Sequence, residues 1–415
     1  MNPGEVKYFN HSSKPKCVFV ENKELPLVCI DFWFKAGSAF EESDKNGTAH
    51  FLEHMIFKGS NNIMPGEFDY KIESLGGMSN ASTGYDDAHY YVLTPMNNFR
   101  ESLALLTNIV FSPSINFNEF EKEKNVIIDE IKQQNDQPDE KLFNYFLSRV
   151  WKDNNYGKTI LGTEKDVQSL KIGDLEKFHK SFYNKKNFCI SIAGNLSKKT
   201  FEEYYENNFS NLNQSENSDI NNNELIAIPT TGREEITFNN IEFSRIFMAW
   251  SIPSLKNQRT NIGFEILASI LSTGRNSRLV KVLKEERNLV ESIYVDVNGG
   301  EFGSLLVIEA CCDEINLKNV EEEINETIQE VISCKNLTLN EIRKAINIVK
   351  SNYIFNLETS TQLTSFFGNE LLWGRKNTLN DLNNHLDYWS NTNNFKEIIN
   401  YLSRNKFTLI ASTGK

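Results

Sequence analysis

The chain lacks the features that most readily assign a protein to a compartment. None of its 415 residues fall in an apolar run approaching the roughly 18 positions of a membrane-crossing helix. The opening Met1-Asn2-Pro3-Gly4-Glu5-Val6-Lys7 has no basic stretch leading into an apolar one, so no secretory signal is expected. The six cysteines (Cys17, Cys29, Cys189, Cys311, Cys312, Cys334) form no C-x-x-C pair, and only Cys311 and Cys312 are neighbours. They read as reduced thiols in a cytoplasmic protein. Basic residues are scarce: 44 Lys and Arg stand against 56 Asp and Glu, a net charge of −12. A nucleic-acid partner needs a basic face and is not expected. An acidic chain favours basic peptides.

What is present is ordinary soluble composition, 39% hydrophobic and 24% charged, enough to bury sizeable cores. The length predicts about two or three domains. Cys17–Val20 and Leu27–Phe34 read as strands with Asn22-Lys23 as a turn between them. Thr48 reads as a helix N-cap. A helix is expected over Glu67–Leu75, stopping at Gly76-Gly77, then strand from Ser79 to Pro95. Helical periodicity covers 98–111 and 117–150, and Phe188–Ala193 is a short apolar strand. Residues from Asn211 to Glu224 are nearly all Asn, Ser, Gln and acid, the composition of a flexible linker.

After that break the pattern restarts with a strand at Arg245–Trp250. The stretch from Leu170 to the strand ending at Gly194 is echoed by Leu379 to Gly414. This predicts a duplicated domain near two hundred residues: 1–211, a linker over 212–229, and 230–415. Helices mixed with consecutive strands predict an α+β fold, two homologous domains each with a mainly antiparallel sheet packed with helices.

Only six histidines occur, and two of them, His50 and His54, lie four positions apart in His50-Phe51-Leu52-Glu53-His54. On a helix these positions share a face, so both imidazoles can point at one metal ion. Glu53 lies near enough on that surface to reach a metal-bound water. The order H-x-x-E-H is that of the inverzincin zinc peptidases. Zinc then needs a third protein ligand and an open position. Glu123 and Glu130 lie seven apart, on one helical face; by spacing alone they read as a solvated surface. His89 reads as a surface strand residue, and His11, His179 and His385 as structural.

With these residues in view the sequence resembles the family of pitrilysin, insulin-degrading enzyme and mitochondrial processing peptidase, in length the bacterial processing-peptidase-like members. That family carries an H-x-x-E-H helix and, 76 positions after the second histidine, a zinc-binding glutamate; Glu130 stands 76 after His54. Glu73-Ser74-Leu75-Gly76-Gly77, Asn80-Ala81-Ser82-Thr83, Val126–Ile131 and Ile160-Leu161-Gly162-Thr163 are also similar. The resemblance implies one zinc per chain on His50, His54 and Glu130. It implies Glu53 as general base and then acid, and Glu123 as electrostatic support for the catalytic site. It implies an extended, unfolded peptide pairing along Asn80, Ala81, Ser82 and Thr83.

The chain departs from the family at one place. Active relatives carry an Arg and a Tyr seven residues apart that hold the substrate and stabilise the tetrahedral intermediate; Lys284 and Glu291 stand there instead. Lysine lacks the planar fork, and an ionised glutamate cannot donate to an oxyanion. The resemblance therefore implies a heterodimer whose homologous, zinc-free subunit supplies the pair. Zinc endopeptidase is the leading expectation. The competing readings are a non-catalytic scaffold subunit and a peptide-binding module with structural zinc.

Overall fold

The computed structural model describes residues 6–11, 14–23, 26–208, 226–333, 337–375 and 379–414. Most of the expected linker, 212–225, and Cys334 lie outside the described residues. The chain forms two compact units: residues 1–133, 158–220 and 354–377, and residues 134–157, 221–353 and 378–415.

The sheet of the first unit contains β1 (Val6–Phe9), β2 (Lys16–Glu21), β3 (Leu27–Phe34), β4 (Met78–Thr83), β5 (Ala88–Pro95) and β6 (Phe188–Gly194). Its order is β1-β2-β6-β3-β5-β4. The strands expected at Cys17–Val20 and Leu27–Phe34 both form, but they are not neighbours. β6 lies between them, parallel to β2 and antiparallel to β3. A turn near Asn22 is therefore not a hairpin turn, because the apolar β6, buried along its whole length, takes the central place.

One sheet face packs on helices through Phe32, Phe34, Tyr90 and Phe188, all at most 3% exposed. Phe34 stacks on Tyr183 at 4.5 Å and on Phe188 at 4.7 Å. Burying each such ring stabilises by about 1.5–3 kcal/mol. The other face is covered over Val18, Val20 and Ala193 by Leu363 and Phe367 of a helix from late in the chain, Ser360–Leu372. The periodic stretch 117–150 is two helices, Phe117–Asn135 and Pro138–Val150. Pro138 cannot continue a preceding helix and starts the second.

The second unit contains β7 (Gly232–Thr237), β8 (Ser244–Ile252), β9 (Ser292–Asn298), β10 (Ser304–Cys312) and β11 (Phe407–Ser412). Their order, β7-β11-β8-β10-β9, repeats β2-β6-β3-β5-β4, with the same single parallel pair. The duplication is thus one of topology. Pro138–Val150 belongs to this unit, where Phe146 stacks on Phe247 at 4.8 Å and Tyr145 donates to Glu234 at 2.6 Å. The five described cysteines are free thiols. No helix among the described residues is long and apolar enough to cross a membrane.

Candidate functional site

The helix Thr48–Phe57 buries Thr48, Ala49, Phe51, Leu52, Met55 and Ile56 in the first unit's core. Its 3.6-residue period turns His50, Glu53 and His54 to the half-exposed face. Thr48 is not the N-cap. Gly47 occupies that place at φ 85°, and a side chain there would lie 2.5 Å from the Leu161 carbonyl. The orphan N–H groups of the first turn are met from a distance. Buried Glu41 accepts from Gly47 N at 3.0 Å and from Ala49 N at 2.8 Å. Burial pushes the Glu41 carboxyl up to about 8 against the pull of those two donors.

The helix Phe117–Asn135 runs beside the motif helix, with Phe120 stacked on Phe51 at 4.7 Å. It presents Glu130 to both imidazoles: Oε2 lies 4.0 Å from His50 Nε2 and 3.6 Å from His54 Nε2. Donor atoms of His50, His54 and Glu130 all lie within 4.8 Å of one another, the one such cluster among the described residues.

Glu123 is buried on the same helix, and its Oε1 lies 2.9 Å from His54 Nδ1. A carboxylate accepts only, so Nδ1 carries a proton, which leaves Nε2, beside Glu130, as the ring nitrogen that could serve a cation. The other Glu123 oxygen is paired with Lys58 at 2.8 Å. Glu123 therefore touches a candidate ligand rather than the space between ligands. Glu53 lies on the motif helix, and its Oε2 accepts from Thr83 Oγ1 at 2.5 Å.

The donor chemistry fits zinc. Burial, then the neighbouring His54 charge, lowers His50 to about 4, so its imidazole is neutral with a lone pair to give. Burial also pulls His54 down, but the bond to Glu123 and the charges of Glu130, Glu123 and Glu53 outweigh it and raise the pKa. Burial raises Glu53, partly offset by the Thr83 bond. Two imidazoles, one candidate carboxylate ligand and two further carboxylates form a set whose negative charge a dication would offset, with three candidate protein ligands as in open zinc sites.

Of the expected substrate residues, Asn80, Ala81, Ser82 and Thr83 all lie on β4, at the sheet edge. The Ala81 N–H bonds to the Asn80 side chain at 2.9 Å. The Thr83 hydroxyl points to Glu53. His89 is a half-buried strand residue rather than an exposed one: it stacks on Trp33 at 4.1 Å, and its Nδ1 lies 3.0 Å from buried Asp31. Burial lowers its pKa, but the Asp31 carboxylate outweighs that and raises it. His179 is structural, donating to the Val110 carbonyl at 2.8 Å. Lys284 and Glu291 lie in the second unit, where Lys284 Nζ donates to the Glu291 main-chain oxygen at 2.5 Å. Glu41, Lys58 and Asp31 escaped sequence reasoning, since none shares a periodic spacing with the group it holds.

Residues 17–164 match the profile described as insulinase (peptidase family M16), and residues 169–349 match the one described as peptidase M16 inactive domain. An uncharacterised zinc protease of Rickettsia bellii is 30% identical over 348 residues, 83% of this chain and 82% of the relative. The mitochondrial-processing peptidase subunit beta of Bos taurus is 25% identical over 413 residues, 95% of this chain and 81% of the relative. Among solved structures, a protease from Helicobacter pylori superposes with a TM-score of 0.87 at 22% identity, over 99% of this chain and 100% of that one.

Proposed function

From the premise that the chain belongs to peptidase family M16, we propose that it is a zinc-dependent endopeptidase acting on unfolded peptides. The observation that carries this reading is the convergence of His50, His54 and Glu130 donor atoms within 4.8 Å, beside a carboxylate, Glu53, on the same helix. The chemistry zinc supplies in such a site is Lewis acidity toward a peptide carbonyl and acidification of a water molecule. The remaining steps belong to the chain. His50, His54 and Glu130 would hold the metal, and Glu123, which accepts from His54 Nδ1, would orient that imidazole. Glu53 accepts the water's proton and delivers it to the leaving amine. β4 offers an exposed edge to an extended substrate, which would displace the Asn80 side chain from the Ala81 N–H. The intact donor set weighs against the scaffold reading.

The chain is further proposed to work as a heterodimer. Lys284 and Glu291 provide no neutral or guanidinium donor for an oxyanion, so a homologous zinc-free subunit would supply the Arg and Tyr.

The test of the function is Glu53→Gln. The variant should retain zinc, because Glu53 is not among the clustered donors. Hydrolysis of an unfolded peptide should fall by at least the ~10²–10⁴ typical of an acid–base group. Near-normal cleavage by the metal-loaded variant sinks the assignment.

A further inference from the structure

We propose that Thr83 is a positioning residue for Glu53, and that Asn369 and Trp373 set its place by anchoring, through Asp87, the turn that carries it. This deepens the peptidase reading and rests on it. A glutamate side chain on a helix has three free torsions, and a base displaced by about 1 Å can lose ~10²-fold in rate. The Thr83 hydroxyl donates to Oε2 of Glu53 at 2.5 Å, which fixes the direction in which the carboxylate points. Position 83 ends the edge strand β4 opposite Ala88, and among the described residues β4 has no second neighbouring strand to hold it.

The turn Gly84–Asp87 supplies the missing hold. It is closed by the Gly84 N–H donating to the Asp87 carbonyl at 2.8 Å. On one side, Ser38 N and Ala39 N donate to the carbonyls of Gly84 and Tyr85 at 3.1 and 2.8 Å. On the other side, Oδ2 of Asp87 accepts from Asn369 Nδ2 at 2.9 Å and from Trp373 Nε1 at 3.0 Å. The Asn369 amide is itself oriented, because Arg375 donates to its carbonyl oxygen and leaves its NH₂ for Asp87. Arg375 is in turn paired with Glu370 at 2.9 Å, both side chains at most 11% exposed. A bond made only to dock the late helix on the sheet would need no such relay, since Leu363 and Phe367 already bury that contact.

The experiment uses the full-length, zinc-loaded chain with any activating partner present, and compares Thr83→Val, Thr83→Ser, Trp373→Phe and the double Thr83→Val/Trp373→Phe. Zinc content should be the same in all. Thr83→Val should lower kcat about tenfold at unchanged KM, and Thr83→Ser should restore it to within about threefold. Trp373→Phe should lower kcat about threefold when Thr83 is present and not at all in the Thr83→Val background, the non-additivity of groups acting in series. Additive losses, or a lowered Tm with unchanged kcat, overturn the relay. A second measurement does not depend on activity: the Gly84 amide should exchange about tenfold faster in Trp373→Phe, as expected when a local anchor is lost. Unchanged Gly84 exchange overturns the anchoring. A wild-type chain that binds zinc but cleaves no peptide counts against the peptidase reading, and the exchange result then decides the anchoring alone.

Discussion

In the first unit, the helix Thr48–Phe57 turns His50 and His54 toward the helix Phe117–Asn135, and Glu53 toward Thr83 of β4. In the second unit, the helix that follows β8, Gln258–Ser272, turns Glu265 toward the corresponding helix, Leu339–Phe355, where Tyr353 donates to it at 3.2 Å. Around Glu265, Phe264 and Ile266 are fully buried. Burial pushes the Glu265 carboxyl up to about 7. The same strand order thus brings the same pair of helices together twice, and each pair encloses a carboxylate. What differs is the companion group. Imidazole nitrogens can offer lone pairs to a cation, whereas a phenol offers a proton to the carboxylate. The architecture provides proximity, and the side chains decide between a set of candidate metal donors and a polar contact.

The comparison can be broken most sharply at Glu130. Glu130→Gln should strip the first unit of most of its metal and bring peptide hydrolysis to background, because a two-imidazole site lacks the third ligand. Metal analysis of the purified variant checks this. Retained zinc there, with zinc lost from Glu123→Gln, would reverse the two assignments.

Glu265→Gln probes the other unit through pH. The folded pKa of about 7 lies above the ordinary 4.5, so the folded protein binds this proton more tightly than the unfolded one. The stabilisation is complete below that ordinary value and is lost as pH rises through about 7. The variant should match wild type in denaturant unfolding near pH 4 and exceed it near pH 8, by no more than about 3 kcal/mol. Equal stability near pH 8 would show Glu265 to be better solvated than its surroundings indicate.

Glu123→Gln should weaken zinc affinity by about 10–100-fold, the range for a supporting group that orients a ligand. Competition with a calibrated chelator measures it. The smallest effect concerns Lys284 and Glu291. Adding a homologous zinc-free subunit should raise kcat at least about tenfold, part of the ~10²–10³ that one oxyanion donor can contribute. Full activity of the isolated chain, unaffected by any partner, would sink the heterodimer.

His50 and His54 were legible as a candidate metal pair because they lie one helical turn apart, whereas Glu123 and Glu130, two turns apart, read by spacing as a solvated surface and were singled out only by the resemblance. The other groups that serve the cluster were not legible. Thr83 reads as a substrate contact when only its strand is known, and its hydroxyl finds Glu53 because β4 packs against the motif helix. Asp87 and Trp373 are 286 positions apart, and no periodicity links them. Thr48 has the composition of a cap, yet Gly47 takes that place in a left-handed conformation and Glu41 supplies the acceptor. β6 separates two strands that are consecutive in sequence, a choice made by its burial on both faces rather than by any local turn.

The helices Pro138–Val150 and Ser360–Leu372 are each built by one half of the chain and packed in the unit of the other. This imposes an order on synthesis. When the ribosome has released residues up to the linker, the first sheet still exposes Val18, Val20, Trp33 and Ala193, because the helix that covers them is roughly 150 positions away and is made at about 5–20 residues per second. The nascent half must wait many seconds with an apolar face open. Cutting the gene at the linker would make that wait permanent, so two separately expressed halves should aggregate or depend on chaperones, and recover only when made together.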